Sequence, residues 1–227
     1  MNNQARAISS NQEGVHEDLL KQVAKHKNST FKRPIADHTL AAFEQVLTYL
    51  SGWEGDVILD ACCGVGESTI KIAAQYPNAK VIGIDKSIAR LDKHNSYKTH
   101  EASTNYLLMQ ADLNDFWRLL CAHIENNSPA WVLVKQYILY PNPYPKKSQL
   151  SKRWHASAIF PFVVDACKNI EVRSNWRIYL EEFYQASQQY NLSGEISVLK
   201  GEAMTPFERK YSDAGQSCFQ LSLSESK

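Results

Sequence analysis

The chain of 227 residues is 44% hydrophobic and 22% charged, a globular composition that excludes a fibrous repeat or disorder throughout. Its longest apolar runs, such as 158–164, fall short of the roughly 18 residues a membrane span needs, and the opening MNNQARAISSNQEG lacks the apolar core of a secretory signal. A net charge of +1 does not by itself suggest a polyanion partner, and five cysteines without a CxxC pair make neither a disulfide framework nor a zinc site, which fits a reducing cytoplasm.

Residues 1–36 are polar and read as a mobile basic arm, with a short helix expected around Glu17–Lys25. From Leu19 to Ala36 there is no acid, against Lys21, Lys25, Lys27, Lys32 and Arg33. A single domain is expected over 37–227. Helical spacing runs through Phe43, Val46, Leu47 and Leu50, and the apolar run Asp56–Ala61 then reads as a buried strand. An alternation follows: a helix over Ser68–Gln75, a strand over Lys80–Ile84, a helix over Ser87–His94, a strand over Tyr106–Gln110, a helix over Asn114–Ile124 and a strand within Trp131–Tyr140. That order implies an α/β fold, a doubly wound and mostly parallel sheet with helices on both faces. Pro141, Pro143 and Pro145 stop regular structure. A helix interrupted or kinked at Pro161 is expected over Trp154–Lys168, with last strands at Arg177–Glu181, Ile196–Lys200 and Cys218–Leu223. A second stretch without acids, Asn126–Val164, carries Lys135, Lys146, Lys147, Lys152 and Arg153, so the neutral total conceals two basic patches able to bind polyphosphate.

The turn Asp60-Ala61-Cys62-Cys63-Gly64-Val65-Gly66 joins the first strand of the alternation to a helix. Glycines there allow close backbone approach to a ligand, and the helix N-terminus carries partial positive charge. Asp85 ends the next strand, 19 positions after Gly66, where a carboxylate accepts bonds from ribose hydroxyls. A dinucleotide fingerprint would have a third glycine where Thr69 stands. S-adenosylmethionine (SAM) fits better: Asp60 lies where its cationic amine is expected and Asp112, after the third strand, suits the adenine amino group. A plain tight turn is the bland alternative. Cys62 stands where such turns usually carry their first glycine, and cysteine is tolerable there if its φ is negative.

The loop Tyr140-Pro141-Asn142-Pro143-Tyr144-Pro145-Lys146-Lys147 resembles the F-P-D-P-W-P-K-K segment of the bacterial tRNA (guanine-46-N7) methyltransferases, the TrmB type. That alignment puts Asn142 on the family's Asp, Tyr144 on its Trp and Lys146 on its first Lys. Thr205-Pro206-Phe207-Glu208 resembles the family's T-x-F-E, and Glu181 its strand-end acid before the last large helix. The resemblance covers about 31–227. It implies a Rossmann-like class I SAM-dependent methyltransferase with a seven-stranded sheet, a cytoplasmic enzyme with tRNA as partner. It further implies that Asn142, Lys146 and Glu208 serve catalysis, and that Lys146, Lys147, Glu181, Thr205 and Glu208 bind substrate. The chain departs from the family at Asn142, at Lys147-Ser148-Gln149 in place of Lys-x-Arg-His, and at Glu171–Asn175 in place of Lys-Pro-Gly-Gly.

Guanine N7 carries an in-plane lone pair, so its methylation needs alignment rather than a base. A carboxylate nearby stabilises the positive charge that develops on the ring and accepts from N1–H and N2–H. Asn142 offers one acceptor and no charge, a gap that Glu208 is placed to fill. Thr205 either touches substrate or simply caps a helix. Lys146, Lys147, Lys152 and Arg153 are expected on phosphates, extended by Lys25, Lys27, Lys32 and Arg33. Tyr144 and Trp154 are candidates to stack on a base, with core packing the alternative for Trp154. Asn142-Pro143-Tyr144 also resembles the Asn-Pro-Pro-Tyr of methyltransferases acting on amino nitrogens. The remaining alternatives are another RNA substrate, or a SAM- or tRNA-binding homologue that has lost catalysis.

Overall fold

A computed structural model describes residues 8–98 and 103–226. The chain forms two compact units. The first comprises residues 32–138 and 165–167, and the second, among described residues, 8–31, 139–164 and 168–226. The helices are α1 (Leu19–Lys27), α2 (Asp37–Leu50), α3 (Glu67–Gln75), α4 (Ile88–Leu91), α5 (Leu113–Asn127), α6 (Phe160–Ala166), α7 (Arg177–Gln188) and α8 (Pro206–Asp213). The strands are β1 (Asp56–Ala61), β2 (Lys80–Asp85), β3 (Tyr106–Gln110), β4 (Val132–Leu139), β5 (Ile170–Ser174), β6 (Leu192–Val198) and β7 (Phe219–Glu225). They make one mostly parallel seven-stranded sheet in the order β3-β2-β1-β4-β5-β7-β6.

In the first unit β1 pairs in parallel with β2 and β4, and β2 with β3. β1 and β2 are buried on both faces over five of six residues, which is why they read as unbroken apolar runs rather than alternating ones. Gly83 in β2 is a packing requirement. A Cβ there would lie 2.4 Å from Leu108 and 2.5 Å from Thr69 Oγ1. Phe43 of α2 meets Phe116 of α5 edge to face at 5.4 Å, anchoring the helical layer.

In the second unit β7 runs antiparallel to both β5 and β6. Its core gathers Phe160, Val172, Tyr179, Phe183 and Leu221, all fully or nearly fully buried. Residues 10–27 join this unit instead of forming a mobile arm. Leu19 and Val23 are each 1% exposed, and α1 packs on α7. Two further expectations are corrected. Arg177–Glu181 opens helix α7 and is not a strand; its apolar residues Tyr179, Leu180, Phe183 and Ala186 continue at helical spacing beyond the stretch that looked extended. The strand at this point is β5, built from Ile170–Ser174. Pro161 sits in the first turn of α6, where its missing N–H costs nothing, so there is no kinked helix over 154–168. Among the described residues no helix is long and apolar enough to cross a membrane.

Candidate active site

In the first unit, Asp60, Cys62, Gly64, Gly66 and Asp85 come together at the carboxyl ends of β1 and β2, where the turn after β1 enters α3. Asp60 is completely buried. Its Oδ2 accepts from Ser68 Oγ and Thr69 Oγ1, both at 2.7 Å, while Oδ1 has no partner. Burial raises its carboxyl to about 6 against the two hydroxyl donors that lower it, and the Asp85 charge adds to the rise. Asp85 accepts from Gly64 N–H at 3.0 Å, from Ser87 N–H at 2.8 Å and from Arg90 at 3.2 Å. The turn is thus closed by the acid that ends the next strand. Gly66 begins α3 at φ +76, and a Cβ on it would strike Leu108 at 2.6 Å and His94 at 2.7 Å. Cys62 corrects an expectation: its φ is +64, a left-handed conformation that an L side chain adopts only at a cost of about 1 kcal/mol. Cys63 is buried and its thiol is pushed up by that burial, as befits a packing residue.

Asp112 caps α5, accepting from Asn114 N–H at 2.9 Å, and its other oxygen pairs with Arg33 at 3.1 Å. Burial raises its carboxyl, but these donors hold it below its ordinary value. Arg33 also bonds buried Asp115 at 2.8 Å, so this cation is spoken for within the first unit.

These residues fit SAM. Asp60 offers a buried, unpartnered carboxylate oxygen of the kind an ammonium group satisfies, and Asp85 keeps lone pairs for hydroxyl donors beyond its three protein partners. Asp112, half-buried, is the position suited to an amino group.

In the second unit, the proline-rich loop follows β4. Tyr140 N–H donates to Arg173 O at 2.9 Å, and Tyr140 and Tyr144 both take positive φ, +52 and +44. Asn142 is exposed, with Oδ1 accepting from Tyr144 N–H at 3.3 Å. Lys146 and Lys147 are exposed too. Thr205 caps α8, accepting from Glu208 N–H at 3.0 Å with Pro206 behind it, so the capping role is real whatever else the threonine does. Glu208 is 4% exposed, and Arg173 donates to both of its oxygens at 3.2 Å. Arg173 also binds Glu171 and is held above its ordinary value despite burial. Burial pushes the Tyr140 phenol up, with Cys218 and Glu208 beside it.

Two expectations about charged side chains are corrected. Glu181 is on α7, paired with Arg177 one turn away at 2.9 Å, and ends no strand. Arg153 is fully buried and reaches no surface phosphate. Its guanidinium pairs with Glu182 at 2.5 Å and donates to Tyr144 O at 3.1–3.2 Å. The buried acid of α7 is therefore Glu182, one residue beyond the expected one. Helical spacing pointed to it: Glu182 lies three residues after Tyr179 and four before Ala186, on the apolar face of α7.

The family model Methyltransf_4, described as "Putative methyltransferase", matches residues 54–221. No curated protein matches the chain. Solved structures with the same fold include the antibiotic-resistance methyltransferase Kmr, at 13% identity and TM-score 0.53 over 82% of this chain and 93% of that one. The 16S rRNA methyltransferase KamB is 17% identical, with TM-score 0.53 over 85% and 95%. Precorrin-6y C5,15-methyltransferase from Geobacter metallireducens is 14% identical, with TM-score 0.51 over 87% and 94%. At such identities these structures speak for the fold, and the family match supplies the lineage. With SAM as its cofactor, the chain is a SAM-dependent methyltransferase and belongs to the family of the TrmB-type tRNA (guanine-N7) methyltransferases.

Proposed function

We propose that this methyltransferase acts in the cytoplasm on N7 of a guanine in tRNA, at a position of the variable-loop type. Asp60, Cys62, Gly64, Gly66, Asp85 and Asp112 hold SAM, which supplies an electrophilic methyl group on its sulfonium. Asn142 and Lys146 orient the acceptor base, and Lys146 and Lys147 contact adjoining phosphates. Thr205 fixes the start of α8 and so places Glu208, whose carboxylate, aligned by Arg173, offsets the positive charge that develops on the base. No residue is asked to act as a base, because N7 has no proton to lose.

The observation that carries this reading is the joint exposure of Asn142, Lys146 and Lys147 on a loop whose backbone is held by three prolines and two left-handed tyrosines. Such a loop presents its groups without an ordering cost. The amino-nitrogen reading is less well supported, since this chain lacks the second adjacent proline of Asn-Pro-Pro-Tyr and carries the Lys146-Lys147 pair and Thr205-Pro206-Phe207-Glu208 instead. The test is methyl transfer from labelled SAM to bulk tRNA lacking 7-methylguanosine, with wild type and Asn142→Asp side by side and nucleosides identified by mass spectrometry. The expected product is 7-methylguanosine, formed faster by Asn142→Asp because the added charge favours the cationic product. A different methylated nucleoside would overturn the guanine assignment, and activity in Asn142→Asp alone would mark the natural chain as a binder.

A further inference from the structure

The N-terminal segment is tied to the proline-rich loop at two successive residues, and the next reaches it through Arg153. Ser10 Oγ donates to Pro145 O at 2.6 Å, Lys147 N–H donates to Asn11 Oδ1 at 3.1 Å, and Gln12 Oε1 accepts from Arg153 at 3.0 Å. Lys147 Nζ adds an exposed pair with Glu17 at 3.4 Å, which contributes little. Beneath these contacts lies a buried cluster. Glu182 Oε1 accepts from Gln12 Nε2 at 2.6 Å and from His16 N–H at 3.0 Å, while Oε2 takes Arg153 and, at 3.0 Å, His155 Nε2. Arg153 then reaches up to Tyr144 O and Lys146 O, the carbonyls of the loop itself.

Burial raises the Glu182 carboxyl, but the bonds from His155 and Arg153 and the Arg153 charge more than offset it and hold it below its ordinary value. Burial keeps His155 below its ordinary value. With Nε2–H donated to Glu182, the partnerless Nδ1 is a bare lone pair, cheaper to bury than an orphaned N–H. One anion thus faces one cation, which is the condition for a buried pair to be tolerated.

We infer that residues 10–16 are a strap that sets the conformation of the acceptor loop, with Glu182 and Arg153 as positioning residues that act through loop carbonyls. The importance of that loop for catalysis rests on the function proposed above; the strap itself does not. The buried Arg153 satisfies its donors in part on two carbonyls of a surface loop, so whatever fixes Arg153 also fixes that loop. The strap accounts for both its reach and the polar residues Gln12 and His16 being buried at the chain's polar end.

The test is amide hydrogen exchange across 140–149 in the full-length chain, compared among wild type, the surface variant Ser10→Ala/Asn11→Ala, Gln12→Leu, and Asn11→Asp, which keeps an acceptor for Lys147 N–H. The strap predicts at least tenfold faster exchange at Lys147 and its neighbours in the first two variants and near wild-type protection in Asn11→Asp. SAM affinity is expected to stay within twofold in all of them, and kcat for methyl transfer to fall more than KM rises. Unchanged loop exchange in Ser10→Ala/Asn11→Ala would overturn the strap, as would loss of protection spread evenly over the second unit. If wild type methylates no tRNA, the exchange result still decides the matter, so the two readings fail separately.

Discussion

In the proposed cofactor site, Asp60 presents one buried oxygen without a partner. Its carboxyl titrates at about 6 when folded and near 3.8 when exposed, so the folded chain holds the proton through that window. Its contribution to stability is fully present below pH 4 and declines as pH rises through 6, by about 3 kcal/mol in all. A cationic amine beside Oδ1 reverses the preference, because it favours the ionised form. SAM affinity is therefore expected to strengthen from pH 5 to pH 7, by up to tenfold per unit below 6, with proton release on binding. Calorimetry in buffers of different ionisation enthalpy measures both, and Asp60→Asn should flatten the profile. A flat wild-type profile would remove Asp60 from the cofactor's amine.

At the scale of elements, α8 depends on its first turn. Thr205→Ala is expected to cost about 1 kcal/mol by denaturant unfolding and to slow methyl transfer by freeing Glu208, with SAM affinity unchanged. Equal loss of SAM affinity would mean that the cap acts globally. The elements legible in the sequence were those whose surroundings are simple. Tyr106–Gln110 and Asp56–Ala61 are short apolar strands and stand where they were expected. Ile170–Ser174 was not legible as β5 because Glu171 and Arg173 break its pattern. Their charges are matched to each other and to Glu208 within the second unit, a pairing that local sequence does not display. Arg177–Glu181 misled in the opposite sense, since Ile178 and Tyr179 have strand propensity and helical packing overrode it. In the candidate site, Asp60, Gly64, Gly66 and Asp85 were readable because a strand–turn–helix fixes their neighbours. The burial of Arg153 was hidden by the lysines around it, whose exposure it does not share.

For the whole molecule, the charge of +1 leaves local basicity intact. Of the cations expected to meet polyphosphate, Arg33 and Arg153 are paired with acids, and Lys146, Lys147 and Lys152 are exposed on the second unit. Replacing these three lysines by alanine is expected to weaken tRNA binding at low salt and to reduce the slope of log K against log salt by about 2–3. An unchanged slope would move the RNA contact elsewhere. The loop that bears the first two has a consequence of its own. With φ fixed at Pro141, Pro143 and Pro145 and left-handed at Tyr140 and Tyr144, it has almost no second path between its ends. An ordinary surface loop absorbs an inserted residue by re-routing; this one has no slack to give. A single glycine inserted anywhere from 140 to 145 should therefore act like a deletion of the site, and natural length variation in such enzymes is expected to fall on other connections.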